Sequence, residues 1–345
     1  MYIEIDLVSN WLELKLEQIS QLISNGFEFE NYDEWKAKKI KFLNNQKDGL
    51  LINKQSIQAE STQSDDSILR KKYQMDLVCS FINLHRRFVK PKRRAIKCSR
   101  EFICPEPLRN GLKLLKKKIS NGDSLLAHMS KGIFNATEHD GMFYDWGIHH
   151  LHLGVKPDEK LKKLIERTSE LLYAIFDNEY AYFIIIGEHK QWADKNIMRI
   201  VKNNFPQIIN TSRFHGFSEL SYTPSEKETI NLRKSLINVI LDLNGEYYAV
   251  PGGGVSCGGL SVRSVEEFGR IIRFYKNAED LIKNQMEQNS AILFKQMSWT
   301  YPIRLEMLTL ADDNVTVVDK MNKFRLTLIY NQKSNKFTDI YIKSI

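Results

Sequence analysis

Two apolar runs separated by a four-residue polar break place the firmest limit on the fold. Leu171-Leu172-Tyr173-Ala174-Ile175-Phe176 and Ala181-Tyr182-Phe183-Ile184-Ile185-Ile186-Gly187 flank Asp177-Asn178-Glu179-Tyr180. Short runs rich in β-branched and aromatic side chains, joined across turn-forming residues, predict an antiparallel β-hairpin. Helical periodicity lies on either side of it. Leu7, Trp11, Leu12, Leu14, Leu16, Ile19, Leu22 and Ile23 fit an amphipathic helix that stops near Gly26. Further helices are expected at about 70–84, 107–120, 192–203, 225–241 and 264–287, the last behind a capping box at Ser264-Val265-Glu266-Glu267. Asp123 is expected to cap a short helix after Asn121-Gly122. Residues 300–345 alternate and read as a small antiparallel sheet.

The pattern predicts an α+β fold. A helical N-terminal region, 1–75, contains a polar linker near 45–70. A central antiparallel-sheet domain with flanking helices spans 76–220, and a C-terminal α+β portion spans 221–345. The 345 residues suit about two domains at roughly 150 residues each. No apolar run approaches the roughly 18–20 residues of a membrane span, and Met1 to Asp6 shows no basic signal-like region. Cys79, Cys98, Cys104 and Cys257 have no metal-finger spacing. They read as reduced thiols of a cytoplasmic protein with no membrane partner.

Charge is concentrated more than it is abundant. Between Arg86 and Arg100, eight of fifteen residues are basic: Arg86, Arg87, Lys90, Lys92, Arg93, Arg94, Lys97 and Arg100. Such density suits phosphates and points to nucleic acid, RNA above all, with Arg86, Arg87, Lys92, Arg93 and Arg94 as the binding set. A solvated loop, or pairing with acids elsewhere in the fold, is the plainer reading.

Four of eight histidines, His139, His149, His150 and His152, fall within fourteen residues. If 146–154 is a strand, His150 and His152 share a face with Trp146 and Ile148, while His149 points to the core. Two imidazoles one pleat apart can act as an acid/base pair, because histidine titrates near neutrality. They can instead ligate a metal, or be structural. Asp140, Asp145, His150, His152 and Glu188 form the candidate metal set, with His189 as a further ligand. Glu188-His189-Lys190 ends the hairpin. Asp177 at its tip lies roughly 26 Å from Glu188, at about 3.3 Å per residue, so one metal cannot bridge them.

Other motifs carry less. Gly254-Val255-Ser256-Cys257-Gly258 fits G-x-S-x-G, but no histidine follows the serine, so the hydrolase triad order fails. The glycine-rich stretch 251–259 lacks the Lys-Ser/Thr of a P-loop. It reads as a flexible loop, or as a backbone-amide contact for phosphate. No arginine precedes a histidine by the spacing found in HEPN ribonucleases.

Two resemblances add to this. From Arg93-Arg94 through Asp145-Trp146-Gly147-Ile148-His149-His150-Leu151-His152-Leu153, the chain resembles a family of uncharacterised bacterial proteins often found on mobile or accessory DNA. No activity follows from that likeness. Arg167 to Lys190 is similar to the terminal hairpin of RelE-type toxin ribonucleases. That resemblance implies metal-independent RNA cleavage, with basic side chains stabilising the phosphoryl transition state.

The expected function is a ribonuclease-like enzyme of toxin or anti-phage type, needing no cofactor. His150 and His152 serve as general base and acid, and Lys190 with His189 stabilises charge. An inhibitor or antitoxin is an expected partner. The alternatives are a non-catalytic nucleic-acid-binding or regulatory protein, and a metal-dependent nuclease or hydrolase.

Overall fold

A computed structural model describes residues 3–29, 32, 75–189, 191–216, 219–256, 259–288, 303–311, 314–321, 323–331, 333–334 and 336–344. The expected linker at 45–70 and the start of the helix expected near 70 lie outside the described residues. The strands in chain order are β1 (Ile3–Ile5), β2 (Ala95–Cys98), β3 (His149–His152), β4 (Glu170–Phe176), β5 (Tyr180–Glu188), β6 (Leu241–Asp242), β7 (Tyr247–Tyr248), β8 (Ile303–Ala311), β9 (Asn314–Asp319), β10 (Phe324–Asn331) and β11 (Lys336–Ser344). Helices accompany largely antiparallel sheets, so the fold is α+β.

The chain divides into two units. One comprises the described parts of 1–25, 41–78 and 266–345, the other those of 26–40 and 79–265. One unit boundary, at 78/79, lies beside the expected 75/76, and the other, at 265/266, lies beyond the expected 220/221. The reason is a pairing between remote segments: β1 joins β8 in parallel, with Ile3 opposite Ile303 and Ile5 opposite Leu305.

In the first unit the sheet order is β1-β8-β9-β10-β11. Val315, Val317, Leu326 and Leu328 are fully buried, and β9 is buried on both faces from Val315 to Asp319. Helix Leu7–Ser24 buries Leu7, Trp11, Leu16 and Ile19. Asp6 caps it by accepting the Ser9 N–H, and Glu279 accepts the N–H groups of Leu7 at 2.6 Å and Val8 at 3.3 Å. Helix Val262–Gln288 buries Tyr275, Ala278, Ile282 and Met286 at helical spacing. It begins before the predicted capping box, so Ser264 lies inside the helix, fully buried, and does not cap it.

The second unit holds the hairpin. Its sheet order is β2-β5-β4-β3, antiparallel except where β2 runs parallel to β5. Asp177 closes the hairpin turn, accepting the N–H groups of Glu179 and Tyr180 and the hydroxyl of Tyr182 at 2.8 Å. One face carries Ile148, Tyr173, Ile175 and Ile184 against Ile197, Met198 and Val201 of helix Lys195–Asn204. The other carries Leu151, Leu172, Ala174 and Phe183, all fully buried. Helix Arg109–Asn121 turns Leu112, Leu115 and Ile119 inward. It also comes down on Leu153, where a β-carbon on Gly111 would lie 1.6 Å from the carbonyl oxygen.

Some local expectations change. Helix Glu226–Lys234 is shorter than the expected 225–241, because the chain leaves helical geometry at Leu236, whose φ is 60°. The Asn244-Gly245 turn forms, with φ 61° and 80°, and joins β6 to β7. Asp123 accepts from Asn121 and caps nothing. Trp146 ends the short helix Gly141–Trp146, so the strand starts later than expected.

An exposed helix-interior Gly→Ala change ordinarily stabilises by up to about 1 kcal/mol. Gly111→Ala should do the reverse, lowering unfolding free energy by about 3 kcal/mol through overpacking against Leu153. Urea denaturation monitored by tryptophan fluorescence reads the sign directly. A midpoint at or above wild type would show that the close helix–sheet approach is not a constraint.

Candidate active site

The histidine string is laid down by one turn and one strand. Helix Gly141–Trp146 starts at Asp140, whose side chain accepts the Phe143 N–H at 3.0 Å. It ends at Gly147 in the left-handed region, and β3 begins two residues later. β3 then pairs with β4 so that His150 lies opposite Tyr173 and His152 opposite Leu171. Alternation places His150 and His152 on the same face, as the sequence predicts.

Their environments differ sharply. The His150 side chain is 17 % exposed, and its Nδ1 stands 3.8 Å from Asp140 Oδ2. His152 is 1 % exposed. Its Nδ1 accepts the Thr168 N–H at 3.2 Å, while its Nε2 is buried with no hydrogen-bond partner among the described residues. Burial foremost, with Arg167, His189, His150 and His128 nearby, pushes its imidazole down to about 3. His152 is therefore neutral at pH 7 and cannot be the general acid that the sequence suggests. A buried donor left unpaired costs about 1–3 kcal/mol, so this one calls for an explanation.

His189 sits at the end of β5. Its Nε2 faces the Thr168 carbonyl at 3.3 Å, and its ring lies 5.5 Å from that of His152. Thr168 thus holds two histidines that are 37 positions apart in the chain. Thr168 itself is fixed by its hydroxyl, which donates to the Glu170 carbonyl at 2.6 Å. Three of the four expected catalytic residues, His150, His152 and His189, gather at one end of one sheet face. The fourth, Lys190, lies outside the described residues.

His149 faces the other way, between the rings of Phe143 at 4.8 Å and Phe176 at 5.5 Å. Burial pushes it down to about 4. His128, which no motif singles out, is also buried and pushed down by desolvation; its Nδ1 lies 2.9 Å from the His152 carbonyl. It braces the strand beneath the site.

The conditional metal set is not gathered. Asp145 is buried in an ion pair with Arg233, which also stacks on Trp146 with its guanidinium 4.7 Å from the ring. Burial pushes the Asp145 carboxyl up, and Arg233 beside it pulls the other way. Glu188 is exposed at the hairpin end opposite Asp177, paired with Glu170. Among the described residues, no three His, Cys, Asp or Glu side chains are grouped as metal ligands.

The basic cluster splits. Arg87 is 4 % exposed and donates to the carbonyls of Gly132 and Asn135, so it is an internal brace rather than a binding residue. Arg94 spends its donors on the carbonyls of Asp177 at 2.6 Å, Lys90 at 2.9 Å and Lys92 at 3.2 Å. Arg86 is half-buried. Of the expected binding set, Lys92 and Arg93 remain exposed, joined by Lys90, Lys97 and Arg100. Arg93 reaches the C-terminus of the lysine-bearing helix, donating to Asn121 O at 3.4 Å. This basic strip follows β2, while the histidines occupy β3, the opposite edge of the sheet. Three strand spacings of about 4.8 Å put them roughly 14 Å apart.

The glycine-rich loop has a local task. Gly252 N–H donates to Asp145 O and Gly254 N–H to Tyr144 O, both at 2.8 Å. These amides satisfy the last carbonyls of helix Gly141–Trp146, so they are not free for a phosphate. Cys257 and Gly258 lie outside the described residues. Among the described residues, no helix is long and apolar enough to cross a membrane.

Sequence reasoning missed Thr168, Arg167 and His128. A lone threonine before a strand and a lone histidine in a turn carry no spacing signal; only the fold brings them to His152. No family model, no curated protein and no solved structure matches the chain.

Two imidazoles held neutral, one buried and one half-buried, give a pH signature. An unfolded histidine titrates near 6.5. Below about pH 6.5 the unfolded chain takes up protons that folded His149 and His152 refuse, since they titrate at about 4 and about 3. Their contribution is fully present above that pH and is lost as pH falls, by about 1.4 kcal/mol per pH unit for each. His149→Phe, set between two phenylalanines, should make the decline of unfolding free energy from about pH 6 to about pH 4.5 shallower by that amount. Parallel slopes for variant and wild type would refute the neutral state.

Proposed function

We propose that the protein is a metal-independent ribonuclease, acting in the cytoplasm and built on His150. What carries the reading is the convergence of His150, His152 and His189 on one end of one sheet face, with a carboxylate 3.8 Å from His150. A partly exposed imidazole beside a carboxylate suits a base, because the carboxylate steadies the imidazolium that forms. His150 takes the proton from the RNA 2′-hydroxyl. The 2′-oxygen bonds to phosphorus and the bond from phosphorus to the 5′-oxygen breaks. His189 returns a proton to that oxygen, leaving a cyclic phosphate. His152, neutral and with a fixed N–H, acts as a hydrogen-bond donor and not as the acid. An enzyme that cuts RNA indiscriminately also calls for a restraining partner, which fits a toxin or anti-phage effector held by an inhibitor.

A second reading has its own support. The exposed cations Lys92, Arg93 and Lys97 lie on the sheet edge remote from the histidines. That separation fits a protein that binds nucleic acid without cutting it.

End-labelled RNA and DNA, each with and without EDTA, separate the readings. The expected outcome is cleavage of RNA alone, unaffected by EDTA. His150→Ala should lose about 100-fold or more of the rate, with its melting temperature within a few degrees of wild type. Bound but intact RNA would hand the protein to the second reading. EDTA-sensitive cleavage would sink the metal-free scheme.

A further inference from the structure

His152 holds a proton that no described residue receives. Its Nδ1 is engaged by the Thr168 N–H at 3.2 Å, so the hydrogen of the neutral ring sits on Nε2. That atom is buried and unpaired among the described residues, in a residue 1 % exposed. Thr168 fixes the neighbouring ring as well, through its carbonyl 3.3 Å from His189 Nε2. The residue just before it, Arg167, is exposed. The ionisable side chains that act on the His152 ring are Arg167, His189, His150 and His128, with no acid among them. A rigid donor ringed by basic side chains is matched to an anionic oxygen.

We propose that His152 Nε2–H and Arg167 form a subsite for a phosphate oxygen of the RNA chain, beside the bond on which His150 and His189 act. This deepens the nuclease reading and rests on it for the identity of the ligand. His152 supplies a donor oriented before the ligand arrives, and Arg167 supplies the balancing charge. Thr168, next to Arg167 in sequence, holds the ring.

The test reads binding and not cleavage, so the two proposals can fail separately. The full-length chain, labelled with 15N-histidine, is titrated at pH 7 with inorganic phosphate and, separately, with a 2′-deoxydinucleoside monophosphate. Sodium chloride at matched ionic strength is the control. The His152 signals are assigned by their loss in His152→Gln or, should that variant not fold, by through-space contacts to Thr168. The expected result is a saturable shift of the His152 Nε2 signal with the dinucleotide, weakened at least ten-fold in Arg167→Gln. No saturable shift, equal affinity in Arg167→Gln, or a response to inorganic phosphate alone each overturns the subsite. Saturable dinucleotide binding in a protein that leaves RNA intact keeps the subsite and removes the nuclease. RNA cleavage without any His152 shift does the reverse.

Discussion

Strand β4 is the constraint on which the second unit turns. Leu171 to Ile175 are all buried, and the strand has a partner on each side, β3 and β5. A strand buried on both faces has no freedom of register, since a slip of one residue would turn every side chain over. Fixing β4 therefore fixes which way the histidines of β3 point. It also fixes the row His152, Leu171, Gly187 across three strands. Without the neighbouring hairpin, the string His149-His150-Leu151-His152 would carry no defined geometry.

Several of the unit's arginines are spent on backbone carbonyls. Arg87 satisfies Gly132 and Asn135, Arg94 satisfies the hairpin tip, and Arg233 satisfies Trp192 while pairing Asp145. Guanidinium groups suit this work, because a planar fork with five donors can serve several acceptors at once. Irregular segments such as 126–138, built of short 3₁₀ turns, leave carbonyls without ladder partners. Arginine closes those accounts. Density of basic residues in a sequence thus reports two populations, one internal and one at the surface.

What the sequence makes legible follows from range. The hairpin, helix Leu7–Ser24 and the Asn244-Gly245 turn rest on residues adjacent in the chain, and each forms as read. The tail sheet β8–β11 is of the same kind. The readings that changed depend on tertiary context. Leu236 breaks a helix whose pattern continued, Ser264 is buried where it would have capped, and Arg87 is drawn inward. At the candidate site, the shared face of His150 and His152 was readable from period-two alternation. The burial of His152 is not, because Thr168, His189 and His128 come to it from elsewhere in the chain.

The parallel pairing of β1 with β8 has a consequence for the order of events during synthesis. Ile3 must wait for Ile303, an interval of 300 residues. At roughly 5–20 residues per second that is about 15–60 s. Through that interval helix Leu7–Ser24 has emerged without the later segments it packs against, among them Phe268 and Tyr275, whose rings lie 6.1 and 5.9 Å from that of Trp11. Residues 79–265 emerge complete in the meantime, with strand partners all within reach. The histidine-bearing unit can therefore be assembled on the ribosome while the unit formed by the flanking segments is still half-made, its apolar helix face open to whatever chaperone stands at the exit.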